Sequence, residues 1–221
     1  MIMTKFNEKV IIFDTETHSI NEPVVIEAAY SGLHDENTFC QRFNPGVSIT
    51  LGAMAVHHIT DDMVSKCPPS SSFKLPDCVQ YIIGHNIDFD WSAIGKPNVK
   101  RICTLALARC YWPEIDSHTQ SALMYYFFPK EAKECLINAH SALVDVLNLK
   151  MILQAMKESG RLGDINTIEK LWLISEQARI PKIMGFGKHK GEKIENIPAD
   201  YKSWLLRQPD VDEYLVKALK G

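Results

Sequence analysis

The most constraining feature of the chain is a short apolar run that ends in two acids: Val10-Ile11-Ile12-Phe13 leads directly into Asp14-Thr15-Glu16. Such a run, rich in β-branched residues, predicts a buried strand over residues 9–16. Side chains alternate along a strand, so Asp14 and Glu16 point to one face. Two carboxylates at the end of a buried strand repel each other and lose hydration. A cation is the simplest compensation, and a site made of hard oxygen donors suits magnesium or manganese. A D-x-E pair at a strand end is also compatible with plain solvation, so its meaning depends on partners elsewhere in the chain.

Two later segments offer such partners. GHNIDFD, residues 84–90, follows another apolar run and supplies Asp88 and Asp90. NAHSALVD, residues 138–145, supplies His140 and Asp145. Residues five apart on a regular helix differ in direction by about 140°, so these two cannot share a helix face. His140 is therefore expected at or before the first turn, with Asp145 projecting from the helix itself.

The remaining pattern predicts an α/β chain. Residues 23–31 and 38–44 read as second and third strands of a meander, and residues 79–84 as another strand. Residues 60–66 read as a helix with Thr60 as N-cap, and 67–76 as a loop. From about residue 101 the chain reads as mostly helical, through 101–112, 121–128 and 140–156, with a linking helix over 166–179. A glycine-rich, hairpin-like segment and a helix close the chain. The expected organisation is a body over residues 1–160, a linker over 161–180 and a small basic module over 181–221. With 221 residues, 46% of them hydrophobic, one substantial core plus an appendage is feasible. No apolar stretch approaches the ~20 residues of a membrane span, and the N-terminus lacks a leader pattern, so a cytoplasmic protein without a membrane partner is expected. Cys40, Cys67, Cys78, Cys103, Cys110 and Cys135 include no C-x-x-C pair, which argues against a zinc ribbon and for reduced thiols in or near the core.

The net charge of −3 argues against a nucleic-acid binder, but its distribution does not. Residues 1–178 carry 15 basic and 21 acidic side chains, whereas residues 179–221 carry 9 and 6. An acidic body beside a basic tail fits a metal-loaded centre with a separate phosphate-contacting module. The turn GFGKHKGEK is not a P-loop, because Lys182 stands where its first glycine belongs and no Ser or Thr follows Lys188. Lys188 and Lys190, with Lys193, fit phosphate contacts; a solvated hairpin packed by Phe186, Tyr201 and Trp204 is the alternative. Ile20, an apolar residue in a polar turn just after Asp14 and Glu16, fits either a wedge against a terminal base or a buried loop anchor.

Taken together, Asp14-Thr15-Glu16, Asn86-Ile87-Asp88-Phe89-Asp90 and His140-Ser141-Ala142-Leu143-Val144-Asp145 resemble the three motifs of the DnaQ-like, or DEDDh, exonuclease superfamily in order, spacing and context. His57, Ile59 and Thr60 resemble its H-x-I-T element. The resemblance spans about residues 9–155. Asp88 departs from it by standing where a small residue is expected, and fits a surface acid or an outer partner of the site. The tail, with Phe186-Gly187-Lys188-His189-Lys190-Gly191, Pro198, Tyr201, Trp204 and Leu205, is similar to the exodeoxyribonuclease X family. This resemblance implies a ribonuclease H-like exonuclease fold, a mixed sheet flanked by helices. It implies that Asp14, Glu16, Asp90 and Asp145 hold two Mg2+ or Mn2+ ions, with His140 as general base. It also implies that Thr15, Ile20, His57 and Asn86 meet the substrate. The implied reaction is metal-dependent release of nucleoside 5′-monophosphates from DNA 3′ ends, in DNA repair. RNA 3′-end trimming and an idle nucleic-acid-binding adaptor are the alternatives; strand preference and oligomeric state are not set by the sequence. Because every motif lies before residue 146, the C-terminal module is expected to be removable without loss of the metal chemistry.

Overall fold

The computed structural model describes residues 9–34, 37–137 and 139–221. The reading of the extreme N-terminus concerns residues 1–8 and lies outside the described residues. The chain starts as a meander: β1 (Val10–Thr17), β2 (Val25–Gly32) and β3 (Thr38–Arg42). Two short helices follow, α1 (Leu51–His57) and α2 (Asp61–Val64), then β4 (Tyr81–Gly84), α3 (Ile87–Ala93) and β5 (Lys100–Cys103). The rest is helical: α4 (Thr104–Tyr111), α5 (Gln120–Phe127), α6 (Ala132–Cys135), α7 (Ala142–Glu158), α8 (Ile168–Arg179), α9 (Ala199–Leu205) and α10 (Glu213–Lys220). No helix among the described residues is long and apolar enough to cross a membrane.

The strands form one sheet in the order β3-β2-β1-β4-β5. β1 pairs antiparallel with β2 and parallel with β4, so the sheet is mixed and β1 is central. Alternation along β1 sorts its side chains onto two cores. Ile12 joins the larger cluster with Leu107, Trp112, Val146, Leu149 and Ile152, under the long helix α7. Ile11 and Phe13 join Ile82 and Ile87 on the opposite face, under α3. Asp14 and Glu16, in step with Ile12, are therefore directed towards the α7 side, and Thr15 towards the α3 side.

Several expectations are revised. Residues 101–103 are not helical: β5 pairs in parallel with β4 from Tyr81↔Lys100 to Gly84↔Cys103, burying Ile102 completely. Gain of an edge strand outweighs the helical period read across that boundary. Helix α1 was not anticipated; Thr50 caps it by accepting from the Ala53 amide at 3.3 Å. Thr60 occupies the N-cap of α2 without a side-chain capping bond. The loop over residues 67–76 contains a single 3-10 turn. All six cysteines are free thiols, but only Cys103 is buried, and Cys40 and Cys110 are exposed.

The C-terminal segment has an aliphatic core of its own, with Met184, Ile194, Ile197, Leu205, Leu215 and Leu219. Its glycine-rich stretch is hairpin-like, closed by a bridge between Ile183 and Lys193. It is also fastened to the body. The Arg179 side chain is only 4% exposed; it binds Asp88 on α3, the Arg101 carbonyl on β5 and the Tyr214 hydroxyl on α10. Arg101 in turn pairs with both Asp88 and Glu213. Residues 181–221 thus supply Tyr214 and Glu213 to arginines that also bind Asp88, on the helix carrying Asp90.

Gly84 closes β4 where the chain turns into α3. A Cβ there would lie 2.5 Å from Ile87 Cδ1 and 3.1 Å from the Phe13 carbonyl oxygen. Gly84→Ala is expected to destabilise the fold by about 1–3 kcal/mol through overpacking, read as a lower midpoint in urea. An unchanged midpoint would show that β1, β4 and α3 do not meet as closely as described.

Candidate active site

Beyond Ile12 the β4 side of β1 has no strand partner, since that ladder ends at Ile12↔Ile83. Asp90 on α3 fills the gap. One oxygen, Oδ1, accepts from the Thr15 amide at 2.9 Å and from the Thr15 hydroxyl at 2.7 Å. Asp90 is 4% exposed, and burial raises its pKa to about 7 despite those two bonds. From the other face, α7 brings Asp145. Carboxylate oxygens of Asp14, Glu16 and Asp145 lie within 4.8 Å of one another, an arrangement able to hold a metal ion. Asp90 is outside that tightest group but is the strongest charge acting on Asp14.

The electrostatics follow from crowding. Burial raises Asp14 well above the usual carboxylate range, and Asp90, Asp145 and Glu16 add to the shift. Burial, with Asp145, Glu27 and Asp90, pushes Glu16 up to about 8. Asp145 is raised by burial, with His140 working against the shift. Among the described residues, Asp14 and Glu16 form no ion pair with a Lys or Arg. Hard oxygen donors, no resident cation and disfavoured charge make a donor set that fits a divalent metal.

His140 lies before the N-cap Ser141, at φ 68°, and is exposed. Its amide donates to Asp145 Oδ2 at 3.1 Å, so the backbone of one residue orients the carboxylate of the other. Two contributors were not foreseen. Gln120, at the start of α5, donates to the Asp145 carbonyl at 2.9 Å and to its Oδ1 at 3.2 Å. Glu27 on β2 stands opposite Glu16, is 3% exposed, and accepts from Arg42 at 2.9 Å and from the Ala142 amide at 3.1 Å. A lone acid inside the apolar run Val24–Tyr30 was the available signal for Glu27; nothing local marks Gln120.

The expected substrate contacts separate into three places. Thr15, Ile20 and His57 line one cavity of about 410 Å³ beside Glu16, with Phe89 and Val56. Ile20 is 84% exposed there, which removes the buried-anchor reading. His57 is buried; its Nδ1 accepts from the Ile59 amide at 3.0 Å. Asn86 is exposed, adopts φ 72°, and lines a different groove of about 750 Å³ between α4, α8 and the C-terminal segment. Lys188 and Lys190 are on the exposed glycine-rich turn. Asp88 is an ion-pair partner of Arg101 and Arg179.

The raised carboxylates link folding to pH. A carboxyl with a higher pKa folded than unfolded binds more protons in the folded state. Between the unfolded values near 4 and the folded value of about 8 for Glu16, stability of the metal-free protein therefore falls as pH rises. Thermal melts in chelator should show a lower Tm at pH 8 than at pH 5. Glu16→Gln should raise Tm at pH 8 and flatten the slope, and divalent metal should restore the parent. A parent Tm independent of pH across this window would contradict the assigned crowding.

No family model matches the chain. Exodeoxyribonuclease 10 of Escherichia coli strain K12 is 26% identical over 207 residues, covering 90% of this chain and 91% of that protein. Among solved structures, exonuclease X in complex with 5′-overhanging duplex DNA is 25% identical, with a TM-score of 0.58, covering 75% of this chain and 99% of its own. The zinc-bound complex of E. coli ExoI with single-stranded DNA shares the fold at a TM-score of 0.57 and 14% identity, over 78% of this chain and 44% of that one. With the mixed sheet and the motif order already described, the chain is similar to exonuclease X in sequence and shares its fold with DNA exonucleases.

Proposed function

We propose that the chain is a 3′→5′ exodeoxyribonuclease that releases nucleoside 5′-monophosphates with two Mg2+ or Mn2+ ions. The observation that carries this reading is the convergence of Asp14, Glu16 and Asp145 oxygens within 4.8 Å, with Asp90 beside Asp14. Asp14, Glu16 and Asp145 would hold the ions, joined by Asp90, of which Thr15 engages only Oδ1. Bound divalent ions supply charge neutralisation and Lewis acidity at the scissile phosphate. His140 is exposed, and among the described residues its ring makes no hydrogen bond, so it is available to take a proton from the attacking water. Thr15 and His57 line the cavity next to Glu16 that receives the terminal nucleoside. Ile20 projects from the rim of that cavity and would wedge against the last base pair, as apolar side chains do when they unstack DNA. The DNA-bound state of exonuclease X supports DNA as the substrate class here.

Asp14→Ala and Asp90→Ala should each lower turnover by at least about 100-fold, because even outer partners of metal ligands account for roughly 10–100-fold. His140→Ala should reduce turnover while leaving DNA affinity in calcium near that of the parent. The measurement is mononucleotide release from matched DNA and RNA oligomers with Mg2+ or Mn2+. Near-parent rates in either aspartate variant would refute the metal assignment, and faster cleavage of RNA would reassign the substrate.

The wedge has its own signature. Ile20→Ala should slow cleavage of blunt duplex ends by about tenfold while single strands are cut at the parent rate, since opening a terminal step costs a few kcal/mol. Equal effects on both substrates would make Ile20 an ordinary contact.

A further inference from the structure

We propose that Phe186 and Trp204 form a stacking platform for a single-stranded polynucleotide, bordered by Lys188 and Lys190. The proposal rests on the reading of the chain as a DNA exonuclease and adds a second, base-stacking contact outside its catalytic cavity. The C-terminal segment builds its core from aliphatic side chains and leaves its two largest apolar residues out of it. Phe186 is 51% exposed and Trp204 48% exposed. Of the three aromatic residues expected to pack the hairpin, Tyr201 packs against this core, while Phe186 and Trp204 are half exposed.

Tyr201 links Trp204 to the glycine-rich turn that carries Phe186. Gly187, at φ 69°, leaves room for the Tyr201 hydroxyl, which a Cβ at that position would meet at 2.7 Å. Tyr201 stands 5.3 Å from Trp204 and edge-on to His189 at 4.6 Å. Phe186 and Lys188 flank Gly187 in the chain, and both are exposed, as is Lys190. Among the described residues Lys188 and Lys190 form no ion pair, while His189 pairs with Glu192 and Lys193 with Glu195. Aromatic faces beside unpaired cations are the combination that binds single strands without base preference, through stacking and phosphate contact. Lysine is depleted at protein–protein interfaces, which favours nucleic acid over a protein partner on this surface.

The test uses the full chain in chelator, which prevents cleavage, with thymidine oligomers of about 16 and about 4 nucleotides, the range of single-strand site sizes. Trp204 is the one exposed tryptophan of the four, so the longer oligomer should quench indole emission, and Trp204→Leu should abolish that quench. Affinity for the longer oligomer should fall at least about fivefold in Phe186→Ala and in Trp204→Leu, and remain near the parent value in Trp204→Phe, which keeps a ring face. Unchanged affinity in both ring-deleting variants overturns the proposal. So does equal loss in Trp204→Phe and Trp204→Leu, which would indicate a plain apolar contact. Loss of binding to anionic lipid vesicles with oligomer binding unchanged overturns it in favour of a membrane surface. Cleavage of the short oligomer with Mg2+ is a separate arm: a parent chain that cuts nothing refutes the exonuclease reading, whereas normal cutting with unaltered long-oligomer binding in the ring variants refutes only the platform.

Discussion

Mutual repulsion among buried carboxylates is the constraint around which the molecule is arranged. Two unit charges within 4.8 Å repel by roughly 3–4 kcal/mol at an effective dielectric near 20. Against this, Ile11, Ile12 and Phe13 are fully buried on the two faces of the same strand, each contributing about 1.5–3 kcal/mol. Packing of the first half of β1 therefore holds the second half in place while its acids remain close. The conflict is met by raised carboxyl pKa values, and a divalent cation held by these acids would relieve the same conflict. Binding and folding are thereby coupled at one strand end.

The two acids that face each other across β1 and β2 have different partners. Among the described residues Glu16 pairs with no Lys or Arg, whereas Glu27 receives Arg42 and the Ala142 amide. Glu27 is nearly inaccessible although its partner Arg42 is half exposed, so this pair is better shielded from solvent than the exposed pair Lys100–Glu169. The physical role of Glu27 is thus to seat the first turn of α7 on the sheet. That seating sets both Asp145 and the preceding His140. Gln120 completes it by engaging the Asp145 oxygen that the His140 amide does not.

Much of this was legible in the chain because the informative residues lie within short, strongly patterned segments. The run Val10–Phe13 and the alternation after it define β1 and the common face of Asp14 and Glu16. The five-residue offset excluded His140 from the helix, and it does stand before the N-cap. What escaped was governed by long-range pairing. Residues 100–103 become a strand only because β4 offers an edge. Gln120 acquires its role across 25 residues of sequence, and Glu27 across 115. Local periodicity carries no record of such contacts, although an acid in an apolar strand signals that a buried partner exists.

The C-terminal segment shows how a surface-looking acid can carry tertiary information. Asp88 departs from the family pattern and reads as a solvated residue on the exposed side of α3. In the fold it joins Arg101 and Arg179, and through them Glu213 and Tyr214 on α10. Burial pushes the Tyr214 phenol well above its usual range, and its hydroxyl also donates to Glu176 at 2.7 Å, so the network stays uncharged at tyrosine at physiological pH. Asp88 is two residues from Asp90 on the same short helix, so these contacts connect α10 to the helix whose Asp90 binds Thr15. Asp88 is thus paired with two arginines rather than left as a lone charge two residues from Asp90. That arrangement joins the body to its basic end through side chains on α3, β5, α8 and α10, contacts that the local sequence pattern does not record.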